Sequence, residues 1–284
     1  MSALRLGLPK GRMHDAVATL LRDGGVSLHL GARGYRPTVS LADTETKLLK
    51  PQNVVEMLAA GSRDLGFAGA DWVAELEARV VEVLDTGLNP VRVVAAAPVV
   101  FLEAGALPDR PLVVASEYER LTLGWVQRRG LEARFVRSYG ATEVFPPEDA
   151  DCIVDNTATG ATLAANGLAI VDEVMRSSTR LYASIEAWED PARRRRIEDL
   201  ALVLRSVLEA RQRVMVELNV SADRLDAVAA VLPCLREPTV SRLRGEGFAV
   251  KAAVPRASLP TLIPAVKAAG GGDVVVTAIA QLVA

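Results

Sequence analysis

Up to about residue 213 the chain alternates short apolar runs with longer stretches of helical period. The apolar runs read as buried strands at 4–8, 65–69, 80–84, 91–97, 112–115, 133–137, 151–155 and 168–174. Between them apolar residues recur every three to four positions, which predicts helices at 13–23, 52–61, 71–78, 118–129, 160–166 and 191–212. Alternation of this kind predicts an α/β architecture with largely parallel sheets. Ligands in such sheets collect where a strand ends and a helix begins. Three junctions carry polar or glycine-rich chemistry: Leu8-Pro9-Lys10-Gly11-Arg12, Gly66-Phe67-Ala68-Gly69-Ala70-Asp71, and the run from Asp151 to Leu163.

The pattern changes at Val214. Val214, Val216, Leu218 and Val220 alternate with Met215, Glu217 and Asn219, the period of a half-buried strand. A helical pattern over 222–232, strands near 240–243 and 248–254 parted by Gly245-Glu246-Gly247, a second helical pattern from Leu259 and a closing strand at 274–276 complete the order β-α-β-β-α-β. That order predicts a ferredoxin-like unit. Pro264 conflicts with the second helix, which it must shorten, kink or start.

Composition narrows the class. Half of the 284 residues are apolar and 4% aromatic, so the cores are expected from Val, Leu and Ala. A formal net charge of −2 gives no footprint for nucleic acid or an anionic membrane. The basic run Arg193 to Arg196 is offset by Glu189, Asp190, Glu198 and Asp199 and reads as a solvated helix face. Cys152 and Cys234 read as buried thiols of a reducing compartment, and His14 and His29 without any Cys-x-x-Cys leave no structural zinc. No apolar window approaches ~20 residues and no secretory leader is visible. The expectation is a soluble, cytoplasmic chain of two or three domains.

The junction Asp155-Asn156-Thr157-Ala158-Thr159-Gly160-Ala161-Thr162 is the most informative. The opening turn of a helix leaves N–H groups free for an anion, Gly160 permits close approach, and Thr157, Thr159 and Thr162 add hydroxyl donors. Asp155 at a strand end is placed to accept from sugar hydroxyls. An N-capping threonine explains part of the run, but the acid and the Thr-x-Thr-Gly-x-Thr pattern exceed what capping requires. Together they suit a phosphorylated sugar.

Several motifs in order extend this reading: Leu8 to Arg12, Leu49-Lys50-Pro51-Gln52-Asn53-Val54, Asp64 to Trp72, Gly140-Ala141-Thr142-Glu143-Val144, the threonine loop, and Leu235-Arg236-Glu237-Pro238-Thr239-Val240. With them the chain resembles, nearly end to end, the long, self-regulated form of the ATP phosphoribosyltransferases of histidine biosynthesis. The resemblance implies a catalytic part of two α/β lobes, similar to type II periplasmic binding proteins, followed by a regulatory ferredoxin-like domain. Residues 1–90 and 176–212 would form lobe one, 91–175 lobe two and 213–284 the regulatory domain. It further implies transfer of the phosphoribosyl group of phosphoribosyl pyrophosphate to N1 of ATP, Mg²⁺ carried mainly by substrate phosphates, a homo-oligomer built from dimers to a hexamer, and feedback inhibition by histidine.

The implied roles fall on this chain as follows. Asp155 serves the ribose hydroxyls, and Asn156 through Thr162 (including Ala158, Gly160 and Ala161) the 5′-phosphate. Lys10, Gly11 and Arg12 face pyrophosphate or nucleotide phosphates, unless they form only a charged turn. Asp71 and Glu143 either contact the nucleotide or cap local turns, and Thr239 either contacts histidine or starts a strand. Arg33 and Arg36 resemble a family Arg-x-Tyr-Arg-Pro element. Asn156 and Thr157 stand where the family commonly has aliphatic residues, and Glu117-Tyr118-Glu119 lacks the family's usual Pro-Asn, so no role is given to it. A non-catalytic two-lobed ligand-binding or regulatory paralogue is the alternative. The short form that depends on a synthetase-like partner is opposed by the residues after Val214.

Overall fold

The structure is a computed structural model and describes residues 3–30 and 34–283. The chain runs β1 (Leu4–Pro9), α1 (Arg12–Asp23), β2 (Leu28–His29), β3 (Thr38–Val39), β4 (Thr44–Leu49), α2 (Pro51–Ala59), β5 (Leu65–Gly69), α3 (Ala70–Glu75), β6 (Val80–Pro98), β7 (Leu112–Ser116), α4 (Glu119–Arg129), β8 (Ala133–Arg137), β9 (Cys152–Thr157), α5 (Ala161–Ala165), β10 (Leu168–Ser184), α6 (Ile185–Glu189) and α7 (Pro191–Arg211). It continues through β11 (Arg213–Val220), α8 (Leu225–Val231), β12 (Thr239–Arg242), β13 (Phe248–Pro255), α9 (Leu259–Ala268) and β14 (Gly272–Ala278). Two units result, one comprising residues up to Thr19 with Val26–Ala201, the other Leu20–Gly25 with residues from Leu202 onward.

In the first unit eight strands are ordered β4-β1-β5-β10-β6-β9-β7-β8. The two middle strands are long because each serves both flanks. Residues 179–183 of β10 pair with β5, while residues 92–96 of β6 pair with β9. β6 and β10 are antiparallel along their length, with register shifts between Ser177 and Arg180 where they pass from one flank to the other. Strand pairs β1–β4, β1–β5, β7–β8 and β7–β9 are parallel, as expected. The strands expected separately at 80–84 and 91–97 are one continuous strand. Asp85, Thr86, Gly87, Asn89 and Pro90 interrupt the apolar pattern because they lie at the crossing, where the strand pair passes between the two flanks. β4 was not anticipated, since an edge strand reading Thr-Glu-Thr-Lys offers no apolar run.

Packing follows strand alternation. On one face of the second flank Val93, Ala95, Val114, Cys152 and Val154 pack with Tyr118 and Trp125, the latter two brought in by α4 and the loop before it. On the other face Val94, Ala96, Ala115 and Ile153 pack with Leu163 of α5. The flanks are joined through α3 and α4. Glu75, buried on α3, accepts from the backbone N–H groups of Arg120 (3.2 Å) and Leu121 (3.0 Å) in the first turn of α4. A carboxylate there satisfies orphan donors and complements the dipole. Glu75→Ala is expected to cost about 2 kcal/mol, read as a lower midpoint in thermal denaturation, with Glu75→Gln keeping at least half of that stability.

The second unit carries a four-stranded antiparallel sheet, β12-β13-β11-β14, with α8 and α9, the ferredoxin-like order anticipated. Val214, Val216, Leu218 and Val220 form its core with Val228, Leu262 and Val266. α9 runs through Pro264. The proline removes the N–H that Pro260 C=O would accept, and both prolines are exposed.

Two side-chain expectations need correction. Arg194 and Arg195 pair along α7 with Glu198 and Asp199 as a solvated face would. Arg193 instead reaches the fully buried Asp64, because that carboxylate needs more than the one cation on β1. Cys152 is buried and free, but Cys234 is free and only half-buried.

Candidate active site

A cavity of about 390 Å³ opens where β6 and β10 cross between the flanks. Asn89 and Val91 of β6 and Ser177, Ser178 and Thr179 of β10 line it, with Lys10 and Arg12 after β1, Gly69 and Asp71 after β5, Gln52 of α2, and Glu117 and Asn156 from the second flank. The carboxyl ends of β1, β5, β7 and β9 therefore meet at one place, the location an open α/β sheet reserves for ligands.

Under the cavity lies a buried polar chain. Asp71 is 5% exposed; its Oδ1 accepts from Ser177 Oγ at 2.6 Å and its Oδ2 from Tyr118 OH at 2.6 Å. Ser177 Oγ in turn accepts from the Asp71 N–H at 3.1 Å. Gly69 makes room, since a Cβ there would sit 2.1 Å from Asp71 Oδ1. Tyr118 OH accepts from Asn156 Nδ2 at 2.9 Å, and Asn156 Oδ1 accepts from Arg12 Nη2 at 3.4 Å. Burial, then the neighbouring Asp71 charge, pushes the Tyr118 hydroxyl far above its ordinary range. Its ring packs against Trp72 with centroids 4.7 Å apart and planes tilted by 32°.

Asp155 and Asn156 leave β9 on opposite faces. Asn156 turns to Tyr118, and Asp155 shares its face with Ile153 and Thr157. Asp155 Oδ1 accepts from the Asn156 N–H at 2.6 Å. Burial pushes its carboxyl up to about 6, the Asn156 amide pulls it down, Glu143 and Glu117 push it up, and Arg12 pulls it down. Beyond it the chain curls back on itself: Gly160, at φ 83°, donates its N–H to Thr157 Oγ1 at 2.9 Å, and Ala161 donates to Thr159 Oγ1 at 3.3 Å. Only a residue without Cβ adopts that φ freely. Thr157 is buried, while Ala158, Thr159, Ala161 and Thr162 form an exposed arc beside Asp155.

The remaining expected residues are dispersed. Lys10 lies over the Tyr35 ring, Nζ 3.9 Å from its centroid, at the cavity rim. Glu143, half-buried in a short turn, reaches the site through its field on Asp155. Arg36 lines a different cavity, with Lys47 and Arg63, and Arg33 lies outside the described residues. Thr239 opens β12 and lines a groove of about 330 Å³ with Glu217, Asn219 and Lys251 on the second unit's sheet.

The family model described as ATP phosphoribosyltransferase matches residues 50–206, and that described as HisG, C-terminal domain, matches 210–281. The chain belongs to the ATP phosphoribosyltransferase family. Curated relatives named ATP phosphoribosyltransferase include one from Pelotomaculum thermopropionicum, 37% identical with 96% of each chain covered, and one from Koribacter versatilis, 38% identical with 96% of each covered. Among solved structures, an ATP phosphoribosyl transferase (HisG:HisZ) complex from Thermotoga maritima matches with a TM-score of 0.64 and 26% identity, covering 72% of this chain and 98% of that one. An ATP phosphoribosyltransferase is a pentosyltransferase of histidine biosynthesis, and the chain is an enzyme of that class.

Two residues of the polar chain under the cavity, Tyr118 and Ser177, carried no assignment from sequence. Their only local signal is polarity in the wrong place: Ser177-Ser178-Thr179 inside what is otherwise an apolar strand.

Proposed function

We propose that this chain transfers the 5-phosphoribosyl group of phosphoribosyl pyrophosphate to N1 of ATP and releases pyrophosphate. The observation that carries this reading is Asp155, a half-buried carboxylate near the end of β9 beside the exposed arc of Ala158, Thr159, Ala161 and Thr162, with Arg12 within electrostatic reach. An oxocarbenium-like transition state needs negative charge beside the ribose and positive charge on the leaving group. Asp155 supplies the first at the ribose hydroxyls, and Lys10 and Arg12 supply the second at the rim. Thr157 through Thr162 take the 5′-phosphate end, with Thr159 and Thr162 hydroxyls as donors, and Gly11, Asp71 and Glu143 serve the nucleotide. Holding the substrates between the cavity and the arc beside Asp155 lowers the barrier by orientation, with no covalent nucleophile.

Family members generally use a divalent metal. Among the described residues no group of three or more His, Cys, Asp or Glu is arranged to hold one. Mg²⁺ carried by the substrate's own phosphate oxygens would neutralise charge on the departing pyrophosphate. In this reading residues 1–90 with 176–212 act as lobe one and 91–175 as lobe two; the crossing of β6 and β10 supports that division. Residues 213–284 act as a regulatory domain that binds histidine at Thr239, in a homo-oligomer of dimers up to a hexamer in the cytoplasm. No helix among the described residues is long and apolar enough to cross a membrane.

The test is formation of phosphoribosyl-ATP from ATP, phosphoribosyl pyrophosphate and Mg²⁺, with pyrophosphatase to pull the reaction and with or without histidine. Product suppressed by histidine supports both halves of the reading. Product insensitive to histidine removes the regulatory half, and no product from folded protein overturns the catalytic half. Thr159→Ala is expected to lower kcat/KM for phosphoribosyl pyrophosphate about 10- to 100-fold, the worth of one hydrogen bond to a charged group, measured by initial rates at saturating ATP.

A further inference from the structure

We infer that Asn156 is a positioning residue: its amide, locked by the buried Asp71–Tyr118 pair, turns a carbonyl oxygen to the cavity and holds the Arg12 guanidinium ready for an anionic group of the substrate. The inference rests on the proposed reaction and adds a device to it.

The polarity of the chain of hydrogen bonds follows from its buried end. An ionised carboxylate only accepts, so the two contacts to Asp71 must be donated by Ser177 and Tyr118. The single hydroxyl proton of Tyr118 is thereby committed to Asp71, and its oxygen can only accept from the other side. What meets it 2.9 Å away must be the NH₂ of Asn156. The amide is thus fixed in one of its two orientations, and Oδ1 is left facing Arg12. Burial makes the arrangement stiff: Asp71 is 5% exposed and Tyr118 0%, and the Tyr118 N–H is held by Ser116 Oγ at 2.9 Å, itself bonded to Val154 O. A guanidinium on a long side chain loses much rotamer freedom when it grips an anion. One already held at the rim of the cavity loses less, which shows as affinity. Asn156, on β9, and Arg12, after β1, also belong to opposite flanks of the sheet.

The experiment is a double-mutant cycle on the full chain, read two ways: KM and kcat for phosphoribosyl pyrophosphate, and calorimetric affinity for inorganic pyrophosphate with Mg²⁺. Asn156→Leu, of similar volume, is expected to raise KM and weaken pyrophosphate binding about tenfold while kcat stays within about threefold. Arg12→Ala is expected to weaken both at least as much, and the double variant to be no weaker than Arg12→Ala within about twofold. Tyr118→Phe keeps the ring on Trp72 and removes only the hydroxyl; it should give a smaller shift of the same kind, about threefold, that also vanishes in the Arg12→Ala background. Multiplicative effects in either cycle would overturn the inference, as would unchanged pyrophosphate affinity in Asn156→Leu or a wild type that does not bind pyrophosphate. Because the calorimetric arm needs no turnover, a wild type that binds pyrophosphate but forms no phosphoribosyl-ATP sinks the proposed reaction and leaves the cycle to decide this inference alone.

Discussion

Asp155→Asn is expected to lower kcat/KM by about 10²–10³ while making the protein more stable. Both effects come from one fact, that burial holds the Asp155 carboxyl at about 6 against 3.8. Raising a carboxyl by that amount costs up to about 3 kcal/mol at neutral pH. The sign follows from proton binding: the folded state holds this proton more tightly than the unfolded chain, so the penalty is absent in acid, grows as pH rises from about 4, and is complete above about 6. Asparagine keeps an acceptor for the Asn156 N–H now bonded at 2.6 Å and carries no charge to desolvate. Denaturation midpoints of wild type and Asp155→Asn should therefore coincide near pH 4 and separate, the variant higher, toward pH 8. Activity has the opposite demand, since a ribose hydroxyl donates to a carboxylate. Wild-type kcat/KM should fall below about pH 6 with a single proton, and the residual rate of Asp155→Asn should lack that limb. A variant that is both active and no more stable would remove Asp155 from the site.

How far the sequence carried this site depends on how local each interaction is. The threonine arc was legible because Gly160, Thr157 and Thr159 act on their own neighbours; the bonds Gly160 to Thr157 and Ala161 to Thr159 span three and two residues. Asp71 stood out at a strand end, but its partners Tyr118 and Ser177 lie 47 and 106 residues away and leave no local trace. The ends of β6 and β10 were misjudged for a related reason. Apolar period marks a strand only where helices cover it, and at the crossing the strands line a cavity instead, with Thr179 and Asn89 bonded to each other at 3.1 Å. In the second unit, where β11 and β13 are covered on one face, period two and the βαββαβ order were enough. Asn156 looked like a weakness in the threonine loop until alternation along β9 turned it to the other face, toward Tyr118.

Asp64→Ala is expected to be the most destabilising single change, about 3–5 kcal/mol, because it strands cations that a buried carboxylate now holds. Asp64 is fully buried in front of β5. It accepts from the Arg5 N–H at 2.7 Å, from Arg5 Nε at 3.0 Å and Nη2 at 2.6 Å, and from Arg193 Nη1 at 3.1 Å. The carboxylate thereby ties β1 and the start of α7 to the entry of β5. Burial pushes its carboxyl up, but the Arg5 bonds and the Arg5 and Arg193 charges outweigh burial and hold it below the usual carboxylate range. A depressed carboxyl contributes stability that is complete above its unfolded value near 4 and is lost as pH falls through the folded one. The difference between wild type and Asp64→Ala in urea denaturation should thus be full at pH 7 and shrink below about pH 4, the mirror image of the Asp155→Asn profile. Asp64→Asn keeps the shape and some acceptors, so it should lose about half as much. Asp64 sits at the amino end of β5 and the cavity at the carboxyl end, so the folded fraction of either variant should keep wild-type KM values. A loss of activity exceeding the loss of folded protein would mean that this ion cluster sets the geometry of the cavity as well as the stability of the sheet.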